Sequence, residues 1–251
     1  MTYLSLFSGC LGGDLGCQHL LGWTCKGYVE IDDYCQQVIR QRIKDGFADI
    51  APIFGDIRTF IDQGYAKSYQ GMVDCVTGGF PCQDLSNAGK HKGIKGKRSR
   101  LWYSMLETIR IIQPYYIFVE NVPGILARTE WMGTVLGGLA ESGYDCRWRC
   151  LSSAEMGAGH LRNRVWIVAH DNKSRLQGRG QARTHTTHEA NIKEGNRFGV
   201  IPENKVPKFN WKNKPVLGRG IYESSNRVDR IKAIGEMQFP AVAATAWRLL
   251  R

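Results

Sequence analysis

The first 170 residues alternate short apolar runs with amphipathic segments, and this alternation constrains the fold more than any other feature of the chain. Such alternation is typical of parallel strands joined by crossover helices. It therefore predicts an α/β fold, with a mostly parallel sheet covered by helices. The predicted strands are Tyr3–Phe7, Cys25–Glu30, Met72–Thr77, Tyr115–Val119, Tyr144–Leu151 and Arg164–Ala169.

The amphipathic segments between these strands predict the helices. They are Asp14–Leu21, Tyr34–Arg42, Leu101–Ile112 and Trp131–Glu141. The last two strands have no helix-length crossover between them, so we expect them to pair antiparallel.

The charge of the chain is strongly positive. Its 34 Lys and Arg exceed its 23 Asp and Glu, which gives a formal net charge of +11 and favours an anionic partner. A hydrophobic fraction of 43% is globular and excludes bulk disorder and insertion in a membrane. The apolar run near the N-terminus lacks a basic flank and is too short for a signal peptide, so we expect a cytoplasmic protein.

The eight cysteines predict neither a disulfide framework nor a zinc site, because no pair has the spacing of a zinc knuckle. We expect nearly all of them to be reduced and buried as small hydrophobic residues.

The character of the chain changes after His170. Residues 171–224 are polar and contain 11 basic and 5 acidic residues, a net charge of +6. They are interpreted as a small loop-rich insert, with a disordered linker as the alternative. A helical pattern returns from Asn226, is interrupted at Gly235–Pro240, and predicts a C-terminal helix that docks on the first domain.

Three features at the predicted strand ends indicate a nucleoside cofactor. A glycine-rich turn, Phe7–Gly13, leads from the first strand into a helix. Glu30 ends the second strand, where a carboxylate can accept hydrogen bonds from a ribose diol, and Asp56 is suited to a contact with an adenine amino group. The turn alone is a weak signal, since structural glycine turns are as common.

Two further strand ends carry residues suited to catalysis. Pro81 presents Cys82 rigidly, as a nucleophile requires, although a buried structural cysteine is the alternative. Glu120 follows an apolar run, so burial would raise its pKa and suit it to donate a proton, the alternative being a helix cap. Arg162 and Arg164 are two residues apart and so point to one face at the same sheet edge, although structural ion pairs are the usual explanation for such a pair.

These residues carry a family resemblance. Gly79-Phe80-Pro81-Cys82-Gln83, Glu120-Asn121-Val122 and Arg162-x-Arg164, in this order after Phe7-Ser8-Gly9, resemble the motif set of the DNA (cytosine-5)-methyltransferases. The resemblance covers residues 3–170 and resumes near residue 226. It implies a Rossmann-like catalytic domain formed by residues 1–170 and 226–251, and a target-recognition domain formed by residues 171–225.

The resemblance also implies an activity and its partners. These are transfer of a methyl group from S-adenosylmethionine to carbon 5 of a flipped-out cytosine in double-stranded DNA, by a monomer of a bacterial or phage restriction-modification system. The implied catalytic residues are Cys82, Glu120, Arg162 and Arg164. The implied cofactor-binding residues are Phe7, Gly9, Gly12, Glu30, Ile31, Asp56, Ile57, Pro81, Leu101 and Glu236.

A basic, glycine-containing segment, Gly89–Arg100, follows the proposed nucleophile. It has six Lys or Arg and no acidic residue, and is suited to a lid that closes on phosphates; a solvated loop is the alternative.

The sequence departs from the family pattern at Leu11, where glycine is more common, at Glu236, which replaces an asparagine, and at His160, which replaces a common glutamine. Two other functions therefore stay open: a DNA-binding homologue that has lost catalysis, and the same chemistry on RNA.

Overall fold

The fold is a mixed seven-stranded sheet covered by helices. The computed structural model describes residues 1–81, 101–127, 129–172 and 237–251. The strands are β1 (Thr2–Leu6), β2 (Thr24–Val29), β3 (Ile53–Phe54), β4 (Cys75–Gly78), β5 (Tyr116–Asn121), β6 (Tyr144–Ser152) and β7 (Asn163–Asp171). The helices are α1 (Gly12–Leu15), α2 (Asp33–Lys44), α3 (Ile57–Asp62), α4 (Tyr65–Ser68), α5 (Leu101–Ile112), α6 (Thr129–Glu141) and α7 (Pro240–Leu250).

The strand order is β3-β2-β1-β4-β5-β7-β6. Strands β1 to β5 are parallel to one another, whereas β7 is antiparallel to both β5 and β6. The expected antiparallel pair is therefore confirmed. Because β7 runs against β5, its first residues lie at the edge where the parallel strands end.

Side chains alternate between two apolar layers, one on each face of the sheet. On β1, Leu4 and Leu6 pack in one layer, while Tyr3 packs in the other. Helix α7 covers the second layer, where the rings of Trp23 and Trp247 meet edge to face with centroids 4.6 Å apart. The prediction that the C-terminal helix docks on the first domain is confirmed for α7.

Several predicted boundaries need correction. The helix predicted over Asp14–Leu21 is the short α1 followed by a π-helical turn, Gly16–Leu20. The strand predicted from Met72 begins only at Cys75, because the chain turns at residues 69–72, where the Met72 N–H donates to the Tyr69 carbonyl. The short elements β3, α3 and α4 were not predicted.

Seven cysteines lie in the described part of the chain, and none of these forms a disulfide. Five are buried, and Cys146 and Cys150 are half-buried. The expectation of free, buried cysteines is confirmed for five of these seven, whereas Cys146 and Cys150 are less buried than expected.

Candidate active site

The glycine-rich turn after β1 has an unusual backbone. Phe7, Gly9 and Leu11 all adopt positive φ angles, of 53°, 52° and 61°. Glu30, at the end of β2, fixes this turn: Oε2 accepts a hydrogen bond of 2.6 Å from the Gly9 N–H, and Oε1 accepts one of 2.8 Å from the Asp32 N–H. The predicted proximity of the turn and Glu30 is therefore present.

Glu30 fits the binding of a ribose diol. Burial raises the pKa of its carboxyl group, and the two backbone hydrogen bonds oppose that shift. A carboxylate has about four lone-pair positions, so the backbone contacts leave room for a hydroxyl donor. Beside it, Ile31 is 63% exposed, although large aliphatic side chains are usually buried. The structure thus places a hydrogen-bond acceptor beside an exposed apolar side chain, a combination that suits the ribose and the base of a nucleoside.

Asp56 lies at the neighbouring strand end. Its carboxylate caps α3 by accepting from the Arg58 N–H at 2.9 Å, and it also forms an ion pair with the Arg58 guanidinium. These contacts lower the pKa of Asp56. Ile57, the next residue, is 3% exposed, so its side chain belongs to the core.

The end of β4 leads toward the position of the predicted nucleophile. Asn121 Nδ2 donates to the Phe80 carbonyl at 3.2 Å, which ties this segment to the end of β5. The Phe80 ring packs against Trp102 in α5, with centroids 5.1 Å apart. Pro81 and Leu101 are both half-buried. Cys82 lies outside the described residues; the chain before it is described up to Pro81.

Glu120 and Arg164 meet at the same edge. Arg164 Nε lies 2.7 Å from Glu120 Oε1, and the exposed fractions of the two side chains are only 18% and 11%. Burial raises the pKa of Glu120, while the positive charges of Arg164 and Arg162 oppose the increase. Arg162 precedes β7 and is half-buried. A carboxyl group with a raised pKa holds its proton more readily than an ordinary carboxyl group and is better suited to donate it.

The segment that precedes α7 closes against the glycine-rich turn. A Cβ on Gly12 would lie 2.1 Å from the backbone oxygen of Gln238, and one on Gly13 would lie 1.8 Å from its side-chain Oε1. Gln238 Nε2 also donates to Glu120 Oε2 at 3.4 Å. No role was predicted for Gln238 from the sequence, although this residue lies in the stretch Gly235–Pro240, which resembles the last motif of the family, two positions after the predicted cofactor contact Glu236.

Several predicted residues and segments lie outside the described residues. They are Cys82, Glu236, the lid segment Gly89–Arg100 and nearly all of the insert, residues 173–225. Within the described ranges, no cluster of three or more metal-ligating side chains is present. No helix in those ranges is long and apolar enough to cross a bilayer.

Known proteins resemble this chain over about two thirds of its length. The Type II methyltransferase M.FnuDI of Fusobacterium nucleatum is 32% identical over 170 residues, which are 67% of this chain and 46% of that protein. M2.BsuMI of Bacillus subtilis (strain 168), another Type II methyltransferase, is 33% identical over 175 residues, or 67% of this chain and 42% of that protein. The chain spans less than half the length of the curated relatives it matches.

A solved structure has the same fold. The S. pombe Dnmt2 methyltransferase superposes with a TM-score of 0.53 at 19% identity, over 68% of this chain and 50% of that one. The family model for C-5 cytosine-specific DNA methylases matches residues 1–246. Since the match extends over nearly the whole chain, this protein belongs to the C-5 cytosine-specific DNA methylase family.

Proposed function

We propose that this protein transfers a methyl group from S-adenosylmethionine to carbon 5 of cytosine in double-stranded DNA, through a covalent adduct of Cys82. The observation that carries the proposal is the buried contact between Glu120 and Arg164, at the sheet edge toward which the Cys82 segment leads. Membership of the family supports the same reaction.

The residues divide the chemistry among them. Carbon 5 of cytosine is electron-poor, so a nucleophile must first add at carbon 6, and a thiolate is the strongest nucleophile among side chains at neutral pH. Cys82 would form this bond, and after carbon 5 has taken the methyl group, loss of the proton on carbon 5 would break the bond again and release the thiolate. Glu120 would protonate ring nitrogen 3 and so neutralise the charge that addition pushes into the ring. Arg164 would hold oxygen 2, and Arg162 would support the Glu120 region.

The positions of the glycine-rich turn and of the neighbouring strand ends support the following roles in binding S-adenosylmethionine. Glu30 would accept the ribose hydroxyls, Ile31 would pack against the adenine, and Asp56 would contact its amino group. Phe7, Gly9, Gly12, Ile57, Pro81 and Leu101 would line the same site, together with Glu236. When bound, S-adenosylmethionine supplies an electrophilic methyl group on a sulfonium.

The DNA must open for this chemistry. The reacting atoms of cytosine cannot be reached in a stacked duplex, so the base must flip out, at a cost of a few kcal/mol. The positive charge of the chain supports contacts with phosphates. With about six such contacts, affinity for DNA should fall roughly a thousandfold between about 50 and 200 mM salt.

The names of the relatives favour a place in a restriction-modification system.

The direct test is methyl transfer from tritiated S-adenosylmethionine. The substrates are mixed-sequence duplex DNA, a duplex of only A and T as the matched control, and tRNA. Tritium in mixed-sequence DNA alone, with 5-methylcytosine in bisulfite sequencing, is the expected result. Tritium in tRNA alone would show that the substrate is RNA and not DNA. Salt-sensitive DNA binding without tritium in any substrate would indicate a homologue that has lost catalysis.

A further inference from the structure

Both carboxylate oxygens of Glu120 have a hydrogen-bond or ion-pair partner in the structure. Arg164 Nε approaches Oε1 at 2.7 Å, and the side-chain amide Nε2 of Gln238 donates to Oε2 at 3.4 Å. The second contact joins residues that are 118 positions apart, so it depends on how the segment before α7 is docked. It is also the longer and weaker of the two contacts.

The Gln238 amide lies in a space that two glycines leave open. A Cβ on Gly13 would lie 1.8 Å from Gln238 Oε1. A Cβ on Gly79 would lie 3.0 Å from Gln238 Nε2 and 2.9 Å from Glu120 Oε2. The amide therefore occupies a space that is open only because both positions lack side chains. One of these glycines belongs to the turn after β1 and the other to the segment that leads to Cys82.

From this geometry we infer that Gln238 is a positioning residue for Glu120: its amide holds Oε2 in the free protein and yields that oxygen to the amino edge of the incoming cytosine. The inference rests on the proposed function. An amide N–H and the exocyclic N–H of cytosine are donors of the same class, so the base can replace the amide without leaving the carboxylate oxygen unsatisfied. A hydrogen bond of 3.4 Å is weak enough to be exchanged at little cost.

The chemical consequence can be measured. A donor on Oε2 stabilises the anionic form of Glu120 and so opposes the effect of burial on its pKa. Loss of the amide should therefore raise the pKa of Glu120 further. A purely structural role for Gln238 would not move this value.

The experiment follows the titration of Glu120 by NMR in the full chain, labelled with carbon-13 at glutamate side chains and free of DNA. The Glu120 signal is assigned with Glu120→Gln. We expect its midpoint to rise in Gln238→Leu, and to rise more in Gln238→Glu, which adds a like charge. Gln41→Leu, on the exposed face of α2, is the matched control and should leave the midpoint unchanged.

A second variant disturbs the contact between Gln238 and Glu120 without changing residue 238. In Gly13→Ala the new Cβ would displace the end of the Gln238 side chain, so the Glu120 midpoint should rise as in Gln238→Leu. Gly133→Ala in α6 is the matched control, since a Cβ there meets nothing within 4 Å. If Gln238→Leu does not fold, Gly13→Ala decides the question.

The results separate the inference from the proposed function. A Glu120 midpoint that stays unchanged in folded Gln238→Leu and Gly13→Ala would overturn the inference, even if the wild-type protein methylates DNA. A raised midpoint supports it. Absence of methyl transfer by the wild-type protein, with the titration shifts present, would count against the proposed function alone.

Discussion

Arg164 places its Nε 2.7 Å from Oε1 of Glu120, and the register of two antiparallel strands creates this contact. Glu120 in β5 lies opposite Trp166 in β7, so the start of β7 comes to the edge where β5 ends. Neither side chain would be stable at this depth alone, because a buried charge without a partner is costly.

Replacement of the arginine should therefore give a pH-dependent loss of stability. Arg164→Met leaves the carboxyl group with less positive charge nearby, so the pKa of Glu120 should rise further above its ordinary value of 4.5. Breaking a buried pair costs about 3 kcal/mol when Glu120 is ionised. A raised pKa of Glu120 stabilises the folded state at low pH, and this contribution is lost as the pH rises through that pKa. In urea unfolding, Arg164→Met should therefore lower the free energy of unfolding more at pH 8 than at pH 5.

The control for this prediction is the same substitution in the Glu120→Gln background. Without an ionisable group at position 120, the loss caused by Arg164→Met should be similar at both pH values. Equal losses at pH 5 and pH 8 with Glu120 present would show that the ion pair does not control the charge of this carboxyl group.

Glu30 should be needed for both the turn and the cofactor. In Glu30→Gln, the side chain has one acceptor oxygen in place of two, so the N–H of either Gly9 or Asp32 loses its partner. Both donors are half-buried, so the loss of one hydrogen bond costs about 0.5–1.5 kcal/mol. We expect calorimetric titration with S-adenosylmethionine to show affinity reduced by roughly tenfold or more. Asp33→Asn, at an exposed neighbouring position, is the control; equal affinities for Glu30→Gln and wild type would refute the assignment.

Leu11 combines a buried side chain with a strained backbone. It is fully buried, yet its φ is +61°, a left-handed conformation in which a residue with a Cβ is disfavoured by about 1–2 kcal/mol. Both Leu11→Ala and Leu11→Gly lose the packing of the side chain, at about 2–5 kcal/mol. Only glycine also removes the strain, so the glycine variant should be more stable than the alanine variant by about 1 kcal/mol. Thermal unfolding of the two variants compares them, and the opposite order would contradict the backbone conformation.

Asp14 should make stability depend on pH. Burial raises its pKa from 3.8 to about 6, although the Tyr3 hydroxyl donates to Oδ1 at 2.9 Å. A raised pKa stabilises the folded state below 3.8, and this contribution is lost as the pH rises toward about 6. Asp14→Asn should therefore become more stable relative to wild type across this interval, in urea unfolding at a series of pH values. Asp62→Asn, at an exposed position, is the control, and a flat difference for Asp14→Asn would disprove the shift.

The long elements were predictable because their patterns are long. The twelve residues of α5, Leu101–Ile112, match the predicted helix at both ends, since an amphipathic period is clear over three turns. Strand β3 has two residues and α4 has four, too few for any period to be recognised. Their positions depend on pairing with β2 and packing against α5, which are tertiary interactions.

The site was predictable in part for a related reason. Parallel strands place their carboxyl ends at one edge, so Glu30, Glu120 and the Cys82 segment could be expected there from their positions alone. The role of the backbone was less accessible: the sequence marks Leu11 as standing where the family more often has glycine, but the left-handed conformation of this residue is seen only in the structure. The contact of Gln238 with Glu120 could not be foreseen either, because it depends on the docking of α7.

The central claim is that Cys82 forms a covalent bond with a flipped cytosine, and trapping tests it most directly. Release of Cys82 from the product requires that carbon 5 lose its proton. Duplex DNA with 5-fluorocytosine at the target position carries fluorine there instead, so the protein should stay bound covalently. With S-adenosylmethionine, the wild-type protein should form an adduct that survives denaturing electrophoresis, mapped by mass spectrometry to Cys82. Cys82→Ser should form none, while Cys150→Ser should behave as wild type. An adduct that persists in Cys82→Ser, or its absence in a wild-type protein that methylates ordinary DNA, would contradict the account.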